Sequence, residues 1–477
     1  MGSKYLSTVN SSKKTADNLI NWIRQYAALH IDSTMVDEKH CFPPHVFADL
    51  GNQGFFGMHI SQKYGGLELQ TYDMLRVIEQ VAAIDLTLTT VLIESIQGAH
   101  TLEKYASEPM KNHYLHQLAE GRIFTAGAMT ESAAGSNPRA MKSVAISDNE
   151  NGWLLSGSKR WVGMGASATI IAIYVQQFDS NNNWLGMSGF LVPQGTEGLR
   201  IGPDALTMGI RGFSKNTIYM DNIRVSSEHL LGKSGGGMEI AQDNMMYIRL
   251  CLGAASVGAM KRCVQLMSRY ANQRSIATGK LIENPVTLCR LSEMTAVIVA
   301  IDNFIYLISS AYDEDSSLVP EEAFVVSKIL GSEYLGWMAD LLVQTLGARG
   351  YEEASGISKL YRDARVFRIF EGPTEALNMY IGSRVLAKNG SLENFISNTL
   401  NQKQFFDEIK QAVGAVNKHC LSNKCDLFAK PFAVNYWAQA LVGEIISYGL
   451  LSAGVEYSLL KNQSKQLQRA SLWVRNK

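Results

Sequence analysis

From Ala16 to about Gly121 apolar residues recur at helical spacing, as in Leu75, Val77, Ile78 and Val81 and again in Leu88, Val91, Leu92 and Ile96. Few β-branched runs interrupt them, so an N-terminal helical unit is expected. Between about Phe124 and Lys233 the period changes. Trp153 to Trp161, Ile170 to Val175, Ser188 to Val192 and Thr217 to Met220 are short β-rich runs separated by Gly, Asn, Ser and Pro. That pattern predicts a β domain. Helical patterns return over 238–273, 284–312 and 320–347, joined by short turns as in a helical bundle. After Lys388-Asn-Gly390 the periodicity of 436–460 predicts a further helical segment with a polar end at 463–469. The fold class expected is α+β, mostly α, in four parts: 1–123, 124–233, 234–389 and 390–477. No repeats or low-complexity tracts occur.

A chain of 477 residues with 46% hydrophobic content can bury a large core. Its 44 basic and 44 acidic residues cancel, which removes the electrostatic case for nucleic acid or an anionic membrane as main partner. Charged ligands must be met locally. Cys41, Cys251, Cys263, Cys289, Cys420 and Cys425 show no metal-ligand repeat, and several sit in apolar helical sequence where a reduced thiol packs as a small hydrophobe. His419, Cys420 and Cys425 cluster but lack a fourth ligand, so no metal is expected. Met1-Gly-Ser-Lys has no apolar signal core, and Leu6 stands where a myristoylation motif wants Ser or Thr. Thr295 to Ala311 and Leu441 to Val455 are interrupted by Asp302 and Glu444 and are short for membrane spans. A soluble, cytoplasmic protein is expected.

The chemistry centres on Glu371 in Arg368-Ile-Phe-Glu-Gly-Pro-Thr374, where Gly372 and Pro373 break helical continuity and leave a carboxylate at a backbone turn. Three other segments give it weight. Ala128-Met-Thr-Glu-Ser-Ala-Ala-Gly-Ser-Asn137 is rich in small residues with hydroxyls at Thr130 and Ser136. Gly157-Ser-Lys-Arg-Trp-Val-Gly-Met-Gly165 reads as a strand and turn, and Met208-Gly-Ile-Arg-Gly to Val225 with Leu230-Leu-Gly232 as the end of the β domain. Gln344-Thr-Leu-Gly-Ala-Arg-Gly-Tyr351 and Arg362-Asp-Ala-Arg365 lead to Glu371.

Together, over residues 15–388, these segments resemble the acyl-CoA dehydrogenase family. The resemblance implies helical, β-barrel-like and four-helix-bundle domains in that order, with a helical extension. It implies FAD bound by Met129, Thr130, Gly135, Ser136, Trp161, Val162 and Gly163, with Arg274, Gln344 and Gly347 reaching the flavin's dinucleotide part from a neighbouring subunit. Ser136, Arg249 and Gly372 are assigned to the substrate and Glu371 to the catalytic base. Some members carry the base immediately before the arginine that corresponds to Arg249; here that residue is Ile248, which leaves Glu371. Arg249 itself either supports the site's wall, pairs with a carboxylate or sits in a solvated ion pair.

Three departures stand out. Gly163 replaces the threonine whose hydroxyl reaches the flavin N5 region, Arg274-Ser-Ile-Ala-Thr-Gly-Lys280 is one residue longer than the family's turn, and Pro373 replaces a frequent Thr. The activity implied is α,β-dehydrogenation of an acyl thioester, carried on coenzyme A or on an acyl carrier protein, with electrons passed to an acceptor such as electron-transfer flavoprotein. A homodimer or homotetramer is expected. Gly163 also allows an acyl-CoA oxidase or related flavin monooxygenase. A non-catalytic scaffold using 390–477 as its interaction surface is the remaining alternative, and that extension otherwise suits a subunit contact, a carrier-protein dock or a membrane-surface helix.

Overall fold

The computed structural model describes residues 2–148, 152–387, 390–422 and 431–477. Cys425 and the Lys388-Asn389 junction lie outside the described residues. The chain forms two compact units, 1–248 and 249–477, and the division along the sequence falls within the long helix Gly237–Gln273.

In the first unit, Thr71–Ala82 buries Met74, Leu75, Val77, Ile78 and Val81 on one stripe, the helical spacing of the sequence made physical. The next helix, Leu86–Tyr105, starts where the Asp85 carboxylate accepts from the Leu88 N–H at 2.9 Å. It is buried on most of its circumference and backs directly onto the sheet: a Cβ on Gly98 would lie 1.7 Å from Thr125 Oγ1. Only glycine lets strand and helix approach so closely.

Among the described residues the sheet has seven strands: β1 (Thr125–Ala128), β2 (Val144–Ser147), β3 (Gly152–Gly163), β4 (Ile170–Phe178), β5 (Trp184–Pro193), β6 (Leu199–Asp204) and β7 (Lys215–Ser226). Its order is β1-β4-β2-β3-β7-β6, with β5 also on β4. β4 runs parallel to β1 and β2, and the other pairings are antiparallel, so the sheet is mixed. The β-rich runs of the sequence fall in β3, β4, β5 and β7. Ile171, Ile173, Val175, Phe190, Val192 and Ile218 form the centre of its core.

Among its described residues the second unit is helical apart from turns, connecting segments and the two-residue hairpin strands Ser275–Ile276 and Gly279–Lys280. Pro285–Glu314 and Glu321–Leu346 stand where 284–312 and 320–347 were expected. Pro431–Lys461 crosses Thr374–Leu386 at a pair of glycines. A Cβ on Gly382 would meet the Gln439 carbonyl oxygen at 1.9 Å, and one on Gly443 the Asn378 carbonyl oxygen at 2.1 Å. The extension is therefore packed into this unit as part of its core, with Val442, Ile446 and Leu450 fully buried. Pro285–Glu314 and Ala433–Lys461 are long and apolar enough to cross a membrane by length and composition, yet more than half of each apolar stretch is buried within the protein.

Candidate functional site

Two groups of the expected residues are built separately, one in each unit. In the first unit, Lys159 on β3 has no exposed surface and reaches the preceding loop. Its Nζ donates to Glu131 Oε1 at 2.9 Å and to the Met129 carbonyl at 3.2 Å. Glu131 also accepts from the Lys142 N–H at 2.7 Å and the Ser143 N–H at 3.0 Å. Burial alone would raise the Glu131 pKa, but Lys159 and the two backbone donors bring it down to about 2. Burial also lowers Lys159, against the pull of Glu131. The Arg160 N–H donates to the Thr130 carbonyl at 2.8 Å, so loop and strand are joined at consecutive residues.

The pairing of β3 with β7 shifts register between Lys159 and Val162, a bulge that turns Trp161 outward with φ of 57°. Its indole is half exposed, and the Arg160 guanidinium lies 4.8 Å from the ring centre. Thr130 and Met129 are partly accessible, and Gly135 and Ser136 are exposed. Val162 points the other way, 2% exposed in the sheet's core, so only its main chain is left for a ligand.

Gly163 has a physical explanation here. A Cβ at this position would lie 2.4 Å from Phe213 Cζ and 3.3 Å from Glu94 Oε2, so the Phe213 ring takes the space a larger residue would need. Glu94 is fixed by accepting from the Gly127 N–H at 3.0 Å.

In the second unit, Ile357–Val366 ends in a turn and Thr374–Leu386 begins after Pro373. Between them Glu371 and Gly372 have φ of 52° and 101°, two successive left-handed residues. Gly372 is required, because a Cβ there would also meet Leu377 Cδ2 at 2.8 Å. Two buried cations hold the carbonyls of this turn. Arg249, 6% exposed, donates from Nε to the Glu371 carbonyl at 3.1 Å, and Lys328, with no exposed surface, donates from Nζ to the Gly372 carbonyl at 2.6 Å. Glu333 ties both flanks, accepting from the Thr374 hydroxyl and pairing with Arg368 at 2.8 Å.

Glu371 as a residue is half-buried. Burial pushes its carboxyl pKa up, against the opposing charges of Arg249 and Lys328. Burial first, and then the neighbouring Arg249, bring Lys328 down to about 8, opposed by Glu371, Glu333 and Glu375. Arg249 is lowered by burial, with Glu371, Tyr380 and Glu321 opposing. Arg249 is buried, and one of its bonds runs to the main chain at Glu371.

Arg274 is exposed just beyond Gly237–Gln273, Gln344 is exposed near the end of Glu321–Leu346, and Gly347 closes that helix with φ of 62°. Glu371, Gly372 and Arg249 are thus brought together, whereas these three lie on exposed positions of the same unit. Sequence reasoning did not single out Lys328, Glu333, the Lys159–Glu131 pair, Phe213 or Glu94. Lys328 had a signal: it is the lone charge in Ala323-Phe-Val-Val-Ser-Lys-Ile-Leu-Gly331, and such a lysine is seldom buried without a reason.

Family models match in chain order: the N-terminal domain of acyl-CoA dehydrogenase over residues 13–122, the middle domain over 126–223 and the C-terminal domain over 235–386. The chain belongs to the acyl-CoA dehydrogenase family, a family of flavin oxidoreductases. Among its relatives, an acryloyl-CoA reductase (NADH) of Anaerotignum propionicum is 27% identical over 76% of this chain and 93% of its own length. A mitochondrial very long-chain specific acyl-CoA dehydrogenase of Bos taurus is 28% identical over 74% of this chain, which spans 54% of that protein. The fold is also that of an acyl-CoA dehydrogenase complexed with FAD from Bacillus anthracis, with a TM-score of 0.83 at 21% identity over 98% of this chain and 85% of the other. That likeness includes the C-terminal extension.

Proposed function

We propose that this chain dehydrogenates an acyl thioester to its trans-2-enoyl form, with Glu371 as the base that removes the α-proton. The observation that carries the reading is the Glu371 turn itself: a carboxyl with a raised pKa on a main chain held by two buried cations. Bound FAD would supply the acceptor for the β-hydride. The residues present suit such a group. A half-exposed indole at Trp161, the accessible hydroxyls of Thr130 and Ser136 and the open backbone at Gly135 offer a flat apolar surface beside polar donors. Met129, Val162 and Gly163 contribute main chain at the same edge, and Arg274, Gln344 and Gly347 are the exposed residues offered to a neighbouring subunit.

The α-proton of a thioester becomes acidic when donors hold its oxygen as charge develops. The Glu371 N–H, aimed by the turn, is the donor this segment contributes. The raised pKa brings Glu371 nearer the working pH and strengthens it as a base. Arg249 serves the base through its carbonyl rather than the substrate directly. Coenzyme A and a phosphopantetheine arm present the same thioester, and electron-transfer flavoprotein is the acceptor we favour. A cytoplasmic homodimer or homotetramer completes the proposal, its stoichiometry measurable by sedimentation.

Anaerobic reduction of the bound flavin by a panel of acyl-CoA and acyl-carrier thioesters tests the reading. Glu371→Gln should keep the flavin and slow its reduction by on the order of 10² to 10⁴; reduction at the wild-type rate would refute the assignment. The Phe213 ring beside Gly163 favours a second reading, an oxidase, because no side-chain hydroxyl stands at that position. Stoichiometric peroxide from the reduced enzyme in air selects it.

A further inference from the structure

Resting on the reading of Glu371 as base, we infer that Lys328 is a positioning residue of this site: its ammonium holds the Glu371-Gly372 turn in its left-handed form and presents a positive charge to it. Lys328 lies in the middle of an apolar helix with no exposed surface, where an aliphatic side chain would cost nothing and an ammonium is expensive to bury. What it gains is a single hydrogen bond among the described residues, to the Gly372 carbonyl at 2.6 Å.

That bond matters because of what it restrains. Glu371 and Gly372 have φ of 52° and 101° in succession, a conformation that persists only where its surroundings over-determine it. Arg249 engages the first carbonyl and Lys328 the second, so the two cations fix both peptide planes that flank the Cα of Gly372 and set the direction of the Glu371 side chain. The Lys328 bond does not neutralise its cation with a carboxylate, because its acceptor is the Gly372 carbonyl. Glu333, the acid five residues along the same helix, is already engaged by Arg368 and Thr374.

The groups facing Lys328 are Arg249, Glu371, Glu333 and Glu375. Burial and Arg249 bring Lys328 to about 8, so the clamp is charged below that pH and fades above it. Its charge in turn pulls the Glu371 pKa down against burial. Removing it therefore shifts the acid limb of proton abstraction to higher pH and abolishes an alkaline limb near 8.

The test compares full-length, FAD-loaded wild type, K328M, K328R and E371Q by anaerobic stopped-flow flavin reduction between pH 6 and 10, using a thioester that reduces the wild type. K328M is expected to keep its flavin, to bind substrate within about threefold of wild type and to reduce about 10- to 100-fold more slowly at saturation. Its acid limb should move up and its alkaline limb vanish. K328R, which does not titrate in this range, should recover most of the rate and lack the alkaline limb. K328M with the wild-type rate and profile would overturn the inference. Should K328M fail to fold, K328R decides, since an alkaline limb still at 8 would also overturn it. A crystal structure of K328M supplies a readout apart from turnover: a turn that leaves positive φ at Glu371 supports positioning, and an unchanged turn opposes it. Full flavin reduction in E371Q would instead remove the base reading itself.

Discussion

Among the described residues two lysines have no exposed surface, and they differ in what answers their charge. Lys159 in the first unit bonds directly to the Glu131 carboxylate, itself held by two backbone N–H groups. Lys328 in the second bonds to a carbonyl oxygen, with its nearest acids acting through space. A buried ammonium with a carboxylate partner is a lock: it fixes the 129–131 loop on β3, and its own charge is cancelled. An ammonium with only a carbonyl is both a strut and a source of field. The first arrangement suits a rigid platform beside Trp161, and the second suits a turn whose carboxyl must be tuned.

The largest consequence falls on stability. Lys159→Met strands Glu131 as an unpaired buried charge and should cost about 3–5 kcal/mol, read as a lowered denaturation midpoint. Lys328→Met leaves one carbonyl without its donor and should cost about 1 kcal/mol. Equal losses in the two variants would break the comparison. Gly372→Ala tests the strained turn: at φ of 101°, with Leu377 in contact, it should lose about 1–3 kcal/mol and slow flavin reduction, whereas an unaffected protein would show that the turn can relax.

The smallest effect sharpens the contrast through pH. The folded-state pKa of Lys328, about 8, lies below its ordinary 10.5. Between those values the unfolded chain binds more protons, so the contribution of Lys328 to stability rises as pH rises from 8 to 10.5. Chemical denaturation at pH 8, 9 and 10 should show this rise in wild type relative to K328M; parallel profiles would mean that Lys328 is not depressed.

Much of this was readable along the chain. The 3.6-residue period placed Pro285–Glu314 and Glu321–Leu346 to within a few residues, because each stripe must be buried whatever it packs against. Glu-Gly-Pro announced the turn at 371–373 because glycine and proline act on the backbone locally. The absent hydroxyl at Gly163 was equally visible, but the occupant of its space, Phe213 fifty positions on, was not. Arg249 was singled out, but the 122-residue separation from Glu371 hid the bond from its Nε to that residue's carbonyl.

The sequence by itself determined where helices and strands form, where glycine permits positive φ and which carboxylate stands at a break in the helices, since these depend on neighbours within a turn or two of chain. Only the tertiary structure decided which charges are buried and what answers them. Lys159 and Lys328 are both single lysines in short sequence windows, and the difference between a lock and a strut arises from groups brought in from 28 and 44 residues away. The cost of a buried charge is set by that three-dimensional environment, which no local pattern encodes.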